Sequence, residues 1–343
     1  MWKTEKAVPR RRPEEPGLEQ EIFMSRKLIA VNPALDERHW EQIRAAAERH
    51  GFEALFFRED AQALPHLYDA EIVFGQSEAL AKNSPLLRWL CTPSAGVNQF
   101  AAPDAFASPD AVLTNSSGAY GVTISEHIVM LALEMLRRQM DYSAIVERRE
   151  WKRDLPVRSI KGSRITLLGT GDIGRETALR LRAFGPACLL GVNRSGGNPS
   201  GLFDQVIPQS RLDEALPETD LLVISLPGTP ETFHMLDARR LALLPGQALV
   251  INVGRGTVID QKALEAELRR NRLCAALDVF EQEPLPPDDS LWDCPNLLMA
   301  PHVAGNMTLP YTKDRIVALF LEDFENYCAG RPLLRQVDLT KGY

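Results

Sequence analysis

Leu167-Leu168-Gly169-Thr170-Gly171-Asp172-Ile173-Gly174 is the stretch that decides the fold of this chain. Its three glycines are spaced G-x-G-x-x-G. They follow a β-rich run, Arg164 to Leu168, and open a helical pattern, Arg175 to Phe184. Strand, turn and helix in that order are the setting in which this spacing binds a dinucleotide. Gly169 allows the tight turn. Gly171 has no Cβ, so the backbone can approach a pyrophosphate closely. Gly174 lets the helix pack against the strand. Asp172 and Ile173 lie in the same turn, where free N–H groups at the positive end of the helix would hold the pyrophosphate.

Working outward, strand-like and helix-like runs alternate on both sides of this turn. Before it, Lys27 to Val31, Ala54 to Arg58, Glu71 to Gly75, Trp89 to Thr92 and Val112 to Asn115 read as strands, with a helix at Asp36 to His50. After it, the strands are Cys188 to Val192, Leu221 to Leu226, Ala248 to Val253, Ala275 to Val279 and Leu297 to Ala300, with a helix at Gln261 to Arg270. The apolar runs are continuous rather than alternating, as in buried parallel strands. Together they predict two doubly wound α/β segments, the second with six strands. A long apolar helix, Ile124 to Met140, joins them. The last helical stretch, Leu309 to Cys328, has no sheet of its own to complete, so it is expected to return to the first segment. Such a discontinuous domain would leave a cleft between the two halves.

The bulk composition narrows the classes. A chain of 343 residues with 45% apolar residues suits two ordinary globular cores. A net charge of −7 without a long basic tract argues against nucleic acid as a partner. Cys91, Cys188, Cys274, Cys294 and Cys328 are scattered, with no C-x-x-C pair, so neither a zinc site nor a disulfide framework is expected. A reducing, cytoplasmic setting fits. The densest apolar run, Ile128 to Leu136, is interrupted by Glu134 and is too short to span a membrane. Residues 1–23 are rich in Pro, Glu and Arg without periodicity, which predicts a disordered tail. Met24 then opens the first strand pattern; the expectation is that Met24 is the true start or that the first 23 residues are a dispensable tail.

The cofactor is read from the end of the strand after the glycine turn. An acidic residue there selects NAD by binding the adenosine ribose. Here the region reads Gly191-Val192-Asn193-Arg194-Ser195, with no carboxylate. Arg194 and Ser195 suit a 2′-phosphate, so NADP(H) is favoured, with NAD(H) as the alternative. Three more segments end strands on the ligand edge: Asn252-Val253-Gly254-Arg255-Gly256, Asp278-Val279-Phe280-Glu281-Gln282-Glu283-Pro284 and Ala300-Pro301-His302-Val303-Ala304-Gly305. Taken singly, Arg255, Glu283 and His302 each have a plain structural explanation. Taken together, an Arg, a Glu and a His on one nucleotide-binding sheet suit reduction of an α-keto acid.

At this point the sequence resembles the D-isomer-specific 2-hydroxyacid dehydrogenase family, from Met24 to Tyr343. Ser94-Ala95-Gly96-Val97-Asn98 looks like its substrate loop. Ile124-Ser125-Glu126-His127 looks like the opening of its interdomain helix, and Leu226-Pro227-Gly228-Thr229-Pro230-Glu231-Thr232 like its post-strand cofactor loop. The resemblance implies two doubly wound domains. One is a Rossmann dinucleotide-binding domain over residues 121–308. The other is a flavodoxin-like substrate domain over residues 24–120 plus 309–343.

The resemblance also implies roles. Arg255 binds the substrate carboxylate and polarises the keto oxygen. His302 is the general acid in reduction and base in oxidation. Glu283 hydrogen-bonds His302 and favours its protonated ring. Ser94, Ala95 and Gly96 hold the substrate. Asn193, Arg194, Ser195, Leu226, Pro227, Thr232, Val253, Gly254, Asp278 and Gly305 join the glycine turn in binding the cofactor, Asp278 beside the nicotinamide carboxamide. His127 reads as a structural bridge. His39, His50, His66 and His234 lie in generic contexts.

The expected reaction is reduction of a small 2-keto acid, such as glyoxylate or hydroxypyruvate, to the D-2-hydroxy acid. A homodimer built through the Ile124–Met140 helix and the Trp151 segment is expected. Because the sequence ends at Tyr343, a regulatory-tailed 3-phosphoglycerate dehydrogenase is not expected. Glu283 argues against the formate-oxidising branch. The competing class is a dinucleotide-sensing interaction module like the C-terminal-binding-protein corepressors, with little turnover.

Overall fold

A computed structural model describes residues 26–339 apart from 101, 103 and 199. The expected tail, residues 1–23, and the end of the chain from residue 340 lie outside the described residues. The first half runs β1 (Arg26–Val31), α1 (Glu37–Arg49), β2 (Phe52–Phe57), α2 (Asp60–Ala63), β3 (Ala70–Phe74), α3 (Glu78–Lys82), β4 (Trp89–Cys91) and β5 (Val112–Thr114). Helices α4 (Gly121–Leu136) and α5 (Gln139–Glu147) follow. The second half runs β6 (Arg164–Leu168), α6 (Asp172–Arg182), β7 (Cys188–Asn193), β8 (Gln205–Pro208), α7 (Leu212–Ala215), β9 (Leu221–Ile224), α8 (Ala238–Leu243), β10 (Leu249–Asn252), α9 (Gln261–Arg269), β11 (Cys274–Leu277), β12 (Leu297–Met299) and α10 (Pro310–Cys328).

These strands form two parallel sheets, ordered β2-β1-β3-β4-β5 and β12-β11-β10-β9-β6-β7-β8. The first is the flavodoxin-like order. The second has β6 at the point where the order reverses, with the glycine turn on its C-terminal end, as in dinucleotide-binding sheets. Every residue of β9, β10 and β11 is buried, because helices cover both faces. Asp237 and Asp260 cap α8 and α9 by accepting from the N–H of Arg240 and Ala263.

Two differences from the sequence reading have local causes. The second sheet has seven strands, not six. Gln205–Pro208 is a short edge strand whose four residues offer too little apolar pattern to stand out. The helix expected over Ile124–Met140 stops at Leu136. Arg138 turns left-handed (φ 59°), and a second helix starts at Gln139.

Helix α10 lies on the first sheet rather than the second. Phe320 stacks on Phe74 at 4.5 Å and on Trp89 at 5.2 Å, and Phe324 meets Phe52 edge-on at 5.4 Å. Ile316, Phe320 and Phe324 are four residues apart, so they share one helix face. The chain beyond α10 then closes the edge of that sheet, where Val337 N–H donates to the Leu113 carbonyl at 2.8 Å.

Candidate active site

All strands of the second sheet are parallel, so their C-terminal ends share one edge. The glycine turn follows β6, the Asn193 segment β7, Arg255 β10, Glu283 β11 and His302 β12. The topology alone therefore brings the sequence-selected residues to one edge.

At the glycine turn, each glycine has a distinct environment. Gly169 has φ +104°, and a Cβ there would meet Ser225 Oγ at 2.8 Å. A Cβ on Gly174 would lie 2.1 Å from the Gly169 carbonyl, which is the close helix–strand approach. A Cβ on Gly171 would meet nothing within 4 Å; that side of the turn opens to space where a pyrophosphate fits. The side chain of Asp172 points elsewhere. Its Oδ2 is 2.6 Å from where a Gly121 Cβ would stand, at the N-terminus of α4, and burial raises its carboxyl above the ordinary range.

Asn193 divides its amide between the loop after β7 and the glycine turn. Its Oδ1 accepts from Ser195 N–H at 3.1 Å and Gly196 N–H at 2.7 Å. Its Nδ2 donates to Thr170 Oγ1 and to the Gly197 carbonyl, both at 2.8 Å. Asn193 thus ties the loop carrying Arg194 and Ser195 to the glycine turn. Across the sheet, Thr232 Oγ1 donates to the Pro227 carbonyl at 2.7 Å and accepts from Thr229 N–H at 2.9 Å, closing the Leu226–Thr232 loop. The Glu231 carboxylate is lowered mainly by the Thr229 hydroxyl, with Arg194 adding its charge.

His302 and Glu283 form a dyad. His302 Nδ1 is 2.6 Å from Glu283 Oε2, and since a carboxylate only accepts, Nδ1 carries the proton. The other oxygen, Glu283 Oε1, accepts from Phe280 N–H at 2.9 Å, which fixes the carboxylate. His302 has φ +52°, a left-handed backbone that non-glycine residues seldom adopt. It is held there by Asp278. The Asp278 carbonyl accepts from His302 N–H at 2.9 Å, and the two carboxylate oxygens accept from Val303 and Ala304 N–H at 2.9 and 3.0 Å. Asp278 therefore shapes the His302 loop before any contact with a cofactor. His127 Nε2 lies 3.6 Å from Asp278 Oδ1, between α4 and the end of β11. Gly305 faces Tyr120 and Ile124 of the α4 start, each 3.4 Å from where its Cβ would be.

Arg255 joins the two halves. Its turn is shaped by Asn252, whose Oδ1 accepts from Gly254 N–H at 3.0 Å and whose Nδ2 donates to the Arg255 carbonyl at 2.9 Å. The stem passes Gly228, where a Cβ would stand 3.2 Å from Arg255 Cγ. The guanidinium reaches the other half, where a Gly96 Cβ would overlap Nη2 at 1.8 Å. Arg255 Nη1 donates to the Gly254 carbonyl at 2.7 Å, and Nε to Asn98 Oδ1 at 3.1 Å. Burial lowers the guanidinium pKa, while the nearby Glu283 charge opposes that shift. The loop it meets is tied down by hydrogen bonds. Asn115 Nδ2 donates to the Ala95 carbonyl at 2.9 Å, Ser94 Oγ to the Gly96 carbonyl at 2.5 Å, and Tyr120 Oη to the Pro93 carbonyl at 2.6 Å. Asn98, Asn115, Tyr120 and Asn252 carried no role in the sequence reading; a polar residue ending a buried apolar strand was the available signal for Asn252.

The family model for the NAD-binding domain of D-isomer specific 2-hydroxyacid dehydrogenases matches residues 129–304. The chain belongs to this family. It is accordingly an NAD(P)-dependent oxidoreductase acting on CH–OH donors. It is 31% identical over 304 residues to a glyoxylate/hydroxypyruvate reductase B of Serratia proteamaculans, covering 84% of this chain and 92% of that one. Its fold is similar to a solved family protein of Aeromonas salmonicida subsp. salmonicida, with TM-score 0.81, 32% identity and coverage of 92% and 99% of the two chains. It is also similar to an NADPH-dependent glyoxylate/hydroxypyruvate reductase of Sinorhizobium meliloti solved with NADP and sulfate, with TM-score 0.77, 27% identity and coverage of 93% and 100%.

Proposed function

We propose that this family member reduces a small 2-keto acid, glyoxylate, hydroxypyruvate or a close relative, to the D-2-hydroxy acid, with NADPH favoured over NADH. The observation that carries this reading is Arg255, reaching from the dinucleotide-side sheet to Gly96 of the other half, beside the His302–Glu283 dyad. A guanidinium placed there pairs with the substrate carboxylate and draws charge onto the keto oxygen. On this reading the N–H groups of Ala95 and Gly96 would hold the same carboxylate. His302 donates from Nε2 to the keto oxygen, because Nδ1 is committed to Glu283. Glu283 keeps the ring oriented and stabilises its charge.

The glycine turn, with its open side at Gly171, fits a dinucleotide pyrophosphate. NADPH, when bound, supplies the hydride. The phosphate preference rests on the segment Gly191 to Ser195 at the end of β7, which offers Arg194 and Ser195 and no carboxylate. We assign residues 24–120 plus 309–343 to the substrate side and 121–308 to the cofactor side. A homodimer is part of the reading. Met130, Met140, Val146, Trp151 and Val157 are exposed along α4, α5 and the segment after them, Trp151 at 91%. The reading places the enzyme in the cytoplasm. Among the described residues no helix is long and apolar enough to cross a membrane, and no cluster of metal ligands gathers.

The test is oxidation of NADPH and of NADH by purified protein with glyoxylate, hydroxypyruvate, pyruvate and phenylpyruvate. Turnover that favours NADPH and is lost in His302→Ala, with dinucleotide binding retained, is the expected result. Tight NADPH binding without turnover on any of these acids would favour a dinucleotide-sensing module instead.

A further inference from the structure

Asn98 is placed to do more than line the substrate loop. It opens a short helical turn, Asn98–Phe100, whose neighbours Val97 and Phe100 are buried in the core of the first sheet. Gln99 Nε2 also donates to the Gln76 carbonyl at 3.3 Å. The turn is therefore anchored on the substrate side. The Asn98 side chain faces the opposite way, into the cleft, and makes two bonds to the cofactor side. Its Nδ2 donates to the Gly228 carbonyl at 3.3 Å. Its Oδ1 accepts from Arg255 Nε at 3.1 Å.

These partners belong to two different parts of the site. Gly228 lies within the Leu226–Thr232 loop, which the family resemblance assigns to the cofactor. Arg255 is assigned to the keto acid. One planar amide holds both, so the position of the loop and the orientation of the guanidinium are tied together. A guanidinium is a rigid fork, and fixing Nε sets the plane in which Nη1 and Nη2 meet a carboxylate. A Cβ on Gly96 would meet Nη2 and one on Gly228 would meet Cγ, so both glycines leave room that this side chain fills.

We propose that Asn98 is a positioning residue that couples the two ligands: a dinucleotide seated on the Leu226–Thr232 loop sets Arg255 through Asn98 and so raises affinity for the keto acid. This rests on the reading of Arg255 and of that loop given above. By linkage, the keto acid raises dinucleotide affinity by the same factor.

The experiment measures binding of oxamate, an unreducible carboxylate analogue of a 2-keto acid, by calorimetry to the protein alone and to the NADPH-saturated protein. The wild type should bind oxamate about tenfold more tightly with NADPH, within the usual range of coupling between sites. In Asn98→Ala this ratio should fall to within about twofold of one, while the melting temperature stays near wild type. Its KM for glyoxylate should rise about tenfold with a smaller change in kcat, the scale of one hydrogen bond to a charged group. Asn98→Asp keeps the acceptor for Arg255 but loses the donor to Gly228, so the coupling ratio should fall there too.

A wild-type ratio of one overturns the proposal, and so does a wild-type ratio retained in Asn98→Ala. Arg255→Leu is the control for the underlying reading. If it keeps oxamate binding and turnover, the assignment of Arg255 is what fails, whatever Asn98 does.

Discussion

Gly96 shows how closely a single hydrogen atom is specified. Its φ lies outside the left-handed region, so its backbone would accept alanine. The added methyl, however, would occupy the place of Arg255 Nη2. The flexible guanidinium gives way rather than the fold. Gly96→Ala should therefore leave the melting temperature and NADPH binding near wild type and lower kcat/KM for the keto acid about a hundredfold, as a displaced clamp does. Steady-state kinetics with glyoxylate checks this; unchanged kcat/KM would mean the guanidinium works from another position. Asp278 acts on the other side of the site. Burial holds its carboxyl above the ordinary range, against the pull of the Val303 and Ala304 N–H groups and of His127 and His302. The folded chain thus binds this proton more tightly than the unfolded one. Its contribution to stability is full below the ordinary carboxylate pKa and is lost as pH rises through the raised value. Asp278→Asn, which breaks an N–H contact of the His302 loop, should destabilise at all pH. Its deficit relative to wild type should narrow in urea unfolding as pH rises from the ordinary carboxylate pKa through the raised value. A deficit that widens with pH would reverse the sign.

At the scale of elements, α10 carries the first sheet as much as the strands do. Phe320 is 1% exposed and sits between Phe74 and Trp89, with Phe324 one turn on. Phe320→Ala leaves a cavity between this helix and the sheet. It should cost about 3–5 kcal/mol, read as a lower urea midpoint with an unchanged slope. A loss below about 1 kcal/mol would mean that the helix collapses onto the sheet to refill the space. The α4–α5 junction teaches the complementary point. The helical pattern read over Ile124 to Met140 crosses Arg137-Arg138-Gln139, but Arg138 at φ 59° turns the chain there, and its guanidinium holds Asp141 at 2.6 Å. Periodicity counts apolar residues and does not see one left-handed residue.

For the whole molecule, the proposed cofactor preference predicts a difference in stability. A ligand that binds only the folded chain stabilises it by about 2.7 kcal/mol at a hundred times its Kd. At equal concentrations NADPH should raise the melting temperature more than NADH, and Arg194→Asp should reduce that gap. Equal shifts in the wild type would remove the preference. Light scattering tests the homodimer: a dimer mass is expected at micromolar concentration, with Trp151→Ser shifting it towards the monomer. A monomer mass in the wild type would leave the apolar stripe along α4 and α5 unexplained by self-association.

What the sequence determined by itself is the set of features written in adjacent residues. The G-x-G-x-x-G turn after an apolar strand, the continuous runs of buried parallel strands, and Arg255, Glu283 and His302, each following such a run, were all legible. Strand ends were legible because apolar runs stop where burial stops. Gln205–Pro208 was not, since an edge strand of four residues needs little apolar surface. Only the tertiary structure decided how the site is held. Asn98, Asn115, Asn252 and Asp278 act through hydrogen bonds to groups chosen by folding; Asn98 meets Arg255 across 157 positions of chain. An amide has the same sequence signature whether it faces water or orients a guanidinium. The physical reason is that hydrophobic burial is roughly a sum over residues and leaves a pattern along the chain, whereas a directional hydrogen bond depends on where its partner arrives.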